Sequence, residues 1–172
     1  MSNDKDSKVK DDMLMDQLAG KYLTCNLDQE TYGLEILKVQ EIIGMQEITK
    51  VPRTPEYVKG VINLRGKVIP IVDLRIKFGM EEKEATRKTC IIVVQVSRGG
   101  NSVIMGVVVD EVSEVLNISA EEIELPPAFG TQIDTAFILG MAKIKEEVTI
   151  LLDIDKVLSD GEIEALSQAA KN

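Results

Sequence analysis

The chain has 172 residues, 44% of them apolar and 28% charged, the balance of a soluble globular protein with enough chain to close a core. A net charge of −9 argues against nucleic acid as a partner, and the absence of histidine removes the commonest general base and metal ligand. The longest apolar runs, such as 103–109, are too short to cross a bilayer, and the polar N-terminus lacks a signal peptide's apolar core. The expectation is therefore a cytoplasmic protein with no direct membrane insertion.

Residues 1–18 alternate Asp, Lys and Ser with little apolar content, and a disordered tail is expected there. From Tyr22 the apolar period becomes two, giving a strand over 22–27, a turn over 28–31 and a second strand over 32–36. Val39, Ile42 and Ile43 continue an apolar segment as far as Ile48. Pro52 and Pro55 then break the chain, and Thr54-Pro55-Glu56 suits the cap and first turn of a short helix. In Gly60-Val-Ile-Asn-Leu-Arg65-Gly-Lys-Val-Ile-Pro70-Ile-Val-Asp-Leu-Arg75, two apolar runs flank Arg65-Gly66-Lys67, the signature of a hairpin with a cation at its tip. Pro70 places the second strand at an edge or bulge, and Asp73 suits a helix N-cap. A charged linker covers 81–88.

The second half restarts with a strand over 90–96, a Gly99-Gly100-Asn101 turn and a strand over 102–109. Val112, Val115 and Leu116 extend it to Ile118, and Ser119-Ala-Glu-Glu122 has capping-box spacing. After Pro126-Pro127 come strands over 137–144 and 148–152, then a helix over 160–170 with Ile163, Leu166 and Ala170 on one face. Cys25 and Cys90 lie inside apolar strand patterns and are read as buried small hydrophobes, not as a disulfide.

This order hides a repeat, about 21–79 against 89–158. The stretch 33–43 aligns with 106–116, and Gly60, Leu64, Val68, Ile71 and Asp73 align with Gly140, Ile144, Val148, Leu151 and Asp153. Two copies of about five short strands each suggest an all-β fold of two small antiparallel barrels with a short C-terminal helix. Recurrence of Asp73 and Asp153 marks both as caps. The hairpin tips differ: Arg65-Gly66-Lys67 in one copy, Lys145-Glu146-Glu147 in the other. A shared fold cannot explain Arg65, whose planar, permanently charged fork suits recognition.

Chemistry is hard to find. Neither cysteine has a cationic, exposed setting, no glycine loop of the phosphate-cradling kind occurs, and carboxylate runs such as Asp110-Glu111 read as a solvated face. No cofactor is expected. An enzyme using a divalent metal at Asp110 and Glu111 remains as one alternative, and a nucleic-acid barrel using 50–77 as another, though few aromatics are present to stack bases. Charge is unevenly placed: 50–77 carries seven Lys or Arg, whereas 110–164 carries fourteen carboxylates and three lysines. That asymmetry suits oriented protein contacts, and a binding module is the better class.

The segments 32–42, 60–75 and 106–115 together closely resemble the CheW-like family of bacterial chemotaxis coupling proteins, in register from about 22 to 158. The resemblance implies a CheW-like domain over 19–172 built from two five-stranded SH3-like barrels. It implies an adaptor joining the cytoplasmic tips of chemoreceptors to the regulatory domain of the histidine kinase CheA, recruited to receptor arrays at the inner membrane face and monomeric when alone. Carried over, the receptor groove would use Val39, Glu41, Ile42, Gly60, Arg65, Ile91, Gly106 and Val112. Kinase contact would use Ile48 and Phe129, taken as matched positions at the barrel ends.

Overall fold

The structure, a computed structural model, describes residues 3–127 and 135–171. A helix α1 (Asn3–Leu18) leads into strands β1 (Gly20–Leu27) and β2 (Glu30–Glu35), a 3-10 turn (Ile36–Lys38) and β3 (Val39–Gly44). Then come β4 (Val58–Leu64), β5 (Lys67–Asp73) and the one-turn helix α2 (Leu74–Lys77). The second half gives β6 (Cys90–Arg98), β7 (Asn101–Val109), β8 (Glu111–Ile118), a 3-10 turn (Ala120–Glu122) and β9 (Ile123–Glu124). β10 (Ile138–Ile144), β11 (Glu147–Leu152) and α3 (Asp160–Lys171) complete it.

The strands form two curled sheets, ordered β3-β6-β7-β5-β4 and β8-β1-β2-β11-β10-β9, here called the first and second barrels. Neither barrel is one half of the sequence. The hairpin that opens each half is exchanged, so β6–β7 completes β3–β5 and β1–β2 completes β8–β11. The joint is a parallel pairing in each case, β5 with β7 and β11 with β2, which corrects the expectation of purely antiparallel barrels. Ile71 faces Gly106 in one joint and Leu151 faces Gly33 in the other, so the repeat is kept to the residue. β9 is the sixth strand of the second barrel, and its counterpart in the first is the single bridge between Thr49 and Val61.

Exchange explains why β6 reads as an unbroken apolar run, since it is buried on both faces. Ile92, Val94 and Val96 point into a core shared with Leu23, Leu34, Met105, Leu152 and the α3 residues Ile163 and Leu166. Ile91 and Val93 point the other way, into the first barrel's own interior with Ile62, Ile69, Ile71 and Val108. Tyr22, Ile118, Ile123, Ala142 and Leu151 fill the second barrel.

The segment expected to be a disordered tail is instead the helix α1 from Asn3 onward. No Gly or Pro interrupts it, and its last turn is fastened: Leu18 packs against the second barrel's core and the Tyr22 hydroxyl donates to the Leu18 carbonyl at 2.6 Å. The expected helix start at Thr54 is a turn, because the Thr54 hydroxyl donates back to the Val51 carbonyl at 2.9 Å and the chain enters β4 at once.

Candidate docking site

The β4–β5 tip is a two-residue turn with positive φ at both central positions, 50° at Arg65 and 87° at Gly66. The Gly66 amide donates to the Asn63 side chain at 2.8 Å, which fixes the turn from within. Rigid backbone thus holds a side chain that is 72% exposed. Its guanidinium reaches across the barrel mouth to Glu41 of β3, with one nitrogen 3.2 Å from Oε2 and the other on Oε1. The carboxylate raises the guanidinium's already high pKa, so Arg65 is a permanent cation.

Beneath that pair lies a cavity of about 260 Å³, floored by Leu64, Ile69 and Ile104 and rimmed by Gln40, Glu41, Arg65 and Lys67. A second cavity of about 340 Å³ adjoins it, sharing Lys67, Ile69 and Ile104 and running on past Val68, Val103 and Ser102 to Ser167 of α3. Together they make an apolar trough with cations along one rim. Ile42 on β3 is 46% exposed, an isoleucine with nothing over it on an edge strand.

Of the residues expected at a receptor groove, Arg65 and Ile42 are exposed and Glu41 is half-buried beneath Arg65. Val39 and Val112 are half-buried and pack against the shared core. Ile91 is 0% exposed, and Gly60 and Gly106 are buried, so these three support the site from beneath and line no groove. A Cβ on Gly106 would meet the Ile91 and Ile71 methyls at 2.6 and 2.7 Å. One on Gly60, where φ is +141°, would lie 2.1 Å from the Thr49 carbonyl oxygen.

Ile48 is half-buried, packed on the first barrel's core beside Gly60. Phe129 lies outside the described residues. Ile48 approaches Gly60 as Ile123 approaches Gly140, and Ile123 is buried.

The expectation of a solvated run at Asp110 is also corrected. Arg75, 3% exposed, donates to Asp73 at 2.9 Å and to Asp110 at 2.7 Å, and Asp110 also accepts the Asp28 amide at 2.6 Å. This network ties the end of β5 to the β7–β8 junction and to the β1–β2 turn, pinning one barrel to the other. A polar pair two residues apart, Asp73 and Arg75, directly after the apolar run 68–72 was the available signal. Asp73 still caps α2, accepting the Arg75 amide at 2.9 Å.

Burial pushes the Cys25 thiol up to about 12, so it stays protonated and unreactive. Among the described residues, no group of three His, Cys, Asp or Glu is placed to hold a metal ion, and no helix is long and apolar enough to cross a membrane.

The sequence profile of the CheW-like domain matches residues 21–162. This chain belongs to the CheW-like family. The chemotaxis protein CheW of Klebsiella aerogenes is 39% identical over 152 residues, 88% of this chain and 89% of that protein. The chemotaxis protein CheW of Bacillus subtilis is 33% identical over 135 residues, 78% of this chain and 83% of its own. Among solved structures, the scaffolding protein TtCheW from Thermoanaerobacter tengcongensis is similar at 38% identity and TM-score 0.73, covering 84% of this chain and 95% of that one. The CheW-like match starts at the second residue of β1 and ends in the first turn of α3, which leaves α1 ahead of it.

Proposed function

We propose that this chain is a non-enzymatic chemotaxis adaptor that couples the cytoplasmic tips of transmembrane chemoreceptors to the histidine kinase CheA, at the inner face of the membrane. The observation that carries the reading is Arg65, fixed in a positive-φ turn at the mouth of an apolar trough and paired, among the described residues, only with a half-buried surface glutamate. Such a site suits a helical tip: aliphatic side chains cover its apolar face while a guanidinium fork takes its polar flank. Glu41 and Ile42 complete the receptor face, with Val39 and Val112 behind them. The kinase's CheW-like regulatory domain would dock at the barrel end near Ile48, away from that face. The names and fold of the relatives support this reading.

The test is a pair of titrations on Arg65→Glu. Affinity for a receptor-tip fragment should fall about tenfold or more, while affinity for the kinase regulatory domain and the unfolding midpoint stay where they were. Equal loss of both contacts, or unchanged receptor affinity, would defeat the proposal.

A further inference from the structure

The charged segment 81–88 joins α2 to β6, and charge is what fastens it. Every residue in it is exposed, and Ala85 is its one apolar side chain, so apolar burial does little to hold it down. Glu82 pairs with Lys59 of β4 in the first barrel. Lys83 pairs at 2.6 Å with Asp28 in the β1–β2 turn of the second. Farther on, Lys88 approaches Glu111 of β8 at 3.6 Å, and the Thr86 amide donates to the Thr89 hydroxyl oxygen at 2.8 Å. The segment is therefore a strap from one barrel to the other, tied by pairs that lie in solvent.

The strap spans empty space. A cavity of about 280 Å³ is lined by Met45, Ile48, Ala85, Val108 and the Arg75 side chain. A second, of about 290 Å³, is lined by Asn26, Thr86, Glu111 and Asp110. Lys83, Glu84 and Thr89 border both, so the strap divides them. It thus runs over the ion pair that pins the barrels, with Arg75 on one cavity and Asp110 on the other.

We infer that segment 81–88 is an ionic strap that opens independently of the barrels and, when open, lets water reach the Arg75–Asp110 pair and loosens the joint between them. Salt controls it, because exposed pairs such as Lys59–Glu82 and Lys83–Asp28 weaken as screening increases while the apolar cores do not. Lifting a strap of charged residues uncovers little apolar surface, so it is a local event that precedes global unfolding. Water admitted beneath it raises the effective dielectric around Arg75 and Asp110 and weakens their attraction. The inference stands apart from receptor and kinase docking, because its test contains neither partner.

The experiment is amide hydrogen exchange of the full chain, followed by NMR from about 20 mM to about 0.5 M salt. The reporter is the Arg75 amide, which donates to Asp73 at 2.9 Å inside the network. Its protection should fall about fivefold over that range, while the amides of β6 and β7 keep theirs. Glu82→Gln and Lys83→Gln, both at exposed positions, should each lower that protection about threefold at low salt and lessen its salt dependence. Lys59→Glu should act likewise, and combining it with Glu82→Lys should restore the slow rate. An Arg75 amide that exchanges only when β6 and β7 do, protection indifferent to salt and to the strap variants, or a charge swap that restores nothing would each overturn the inference.

Discussion

The two barrels share a backbone and differ at the end where the hairpin tips lie. Val93, Ile69 and Ile104 of the first barrel have Thr24, Thr149 and Thr31 as counterparts in the second, by strand register. In the second barrel the Thr24 and Thr31 hydroxyls knit the end together. The Thr24 hydroxyl donates to the Glu114 carbonyl at 2.8 Å and accepts its amide at 3.1 Å, while Thr31 donates to Asn26 at 3.2 Å. The first barrel has only aliphatic surface there, and a cavity results. At the tips, Lys145 and Glu146 adopt the same positive φ as Arg65 and Gly66, 50° and 68° against 50° and 87°. Neither glycine nor arginine is thus a requirement of the turn, and what distinguishes the first tip is its charge and its apolar surroundings.

The largest test of the comparison concerns the ion pairs at equivalent places. By the repeat Arg75 stands where Asp155 does, and each is paired with a residue just beyond the joint strand, Arg75 with Asp110 and Asp155 with Lys38, the signs reversed. In the first pair the Arg75 and Asp110 side chains are 4% and 21% accessible, and Asp73, on the same guanidinium, is 0% accessible. The second is half-open, at 27% and 25%. Arg75→Met strands a buried carboxylate and should cost about 3–5 kcal/mol. Lys38→Met should cost about 1 kcal/mol or less. Urea unfolding of both variants decides it, and similar losses would mean that the buried network does not pin the barrels.

Next come the glycines beside the barrel bulges. Gly60→Ala forces a Cβ to 2.1 Å from the Thr49 oxygen at a φ of +141° and should cost about 2–4 kcal/mol. At Gly140 the corresponding approach to the Glu124 oxygen is 3.0 Å with no left-handed φ, and Gly140→Ala should cost about 1 kcal/mol. Thermal melts of the pair would expose an asymmetry that the repeat in sequence conceals.

Much of this was legible in the residues. Period-two runs and Gly/Pro punctuation located the strands, the repeat announced two barrels, and unequal tips singled out Arg65. Exchange of β1–β2 with β6–β7 was not legible, because both hairpins are apolar enough for either sheet and no local signal records which β5 or β11 edge they join. Ile91 and Gly106 could not be sorted from Ile42 either. On a strand buried on both faces, apolar residues look alike whether they face a core or a partner. Asp110 misled for the opposite reason, since a carboxylate beside Glu111 looks solvated until the fold brings Arg75 against it, 35 residues away in sequence. The α1 segment misled because composition weighs the whole stretch, and here one fastened turn at Leu18 holds the end of the helix in place.

The smallest effect separates the terminal helices. α1 lies on the second barrel, whereas α3 packs on β5 and β7 of the first and is anchored by Glu162. Burial disfavours the charge of Glu162, yet hydrogen bonds from Lys77 at 2.8 and 3.0 Å, from the Tyr57 hydroxyl and from the Ser159 amide at 2.8 Å outweigh it. They hold the carboxyl at about 2, below its ordinary 4.5. A depressed folded-state pKa contributes stability that is complete above pH 4.5 and is lost as pH falls toward 2. Glu162→Gln should therefore lower stability by about 1 kcal/mol at pH 7, the site being partly solvated. The gap to the parent chain should narrow below pH 4.5 and close near pH 2. Amide exchange should quicken in α3 while α1, which shares none of these contacts, keeps its rate. A gap that persists at the acid end would show that Glu162 holds the helix by packing alone, and that charge has no part in tying it to the first barrel.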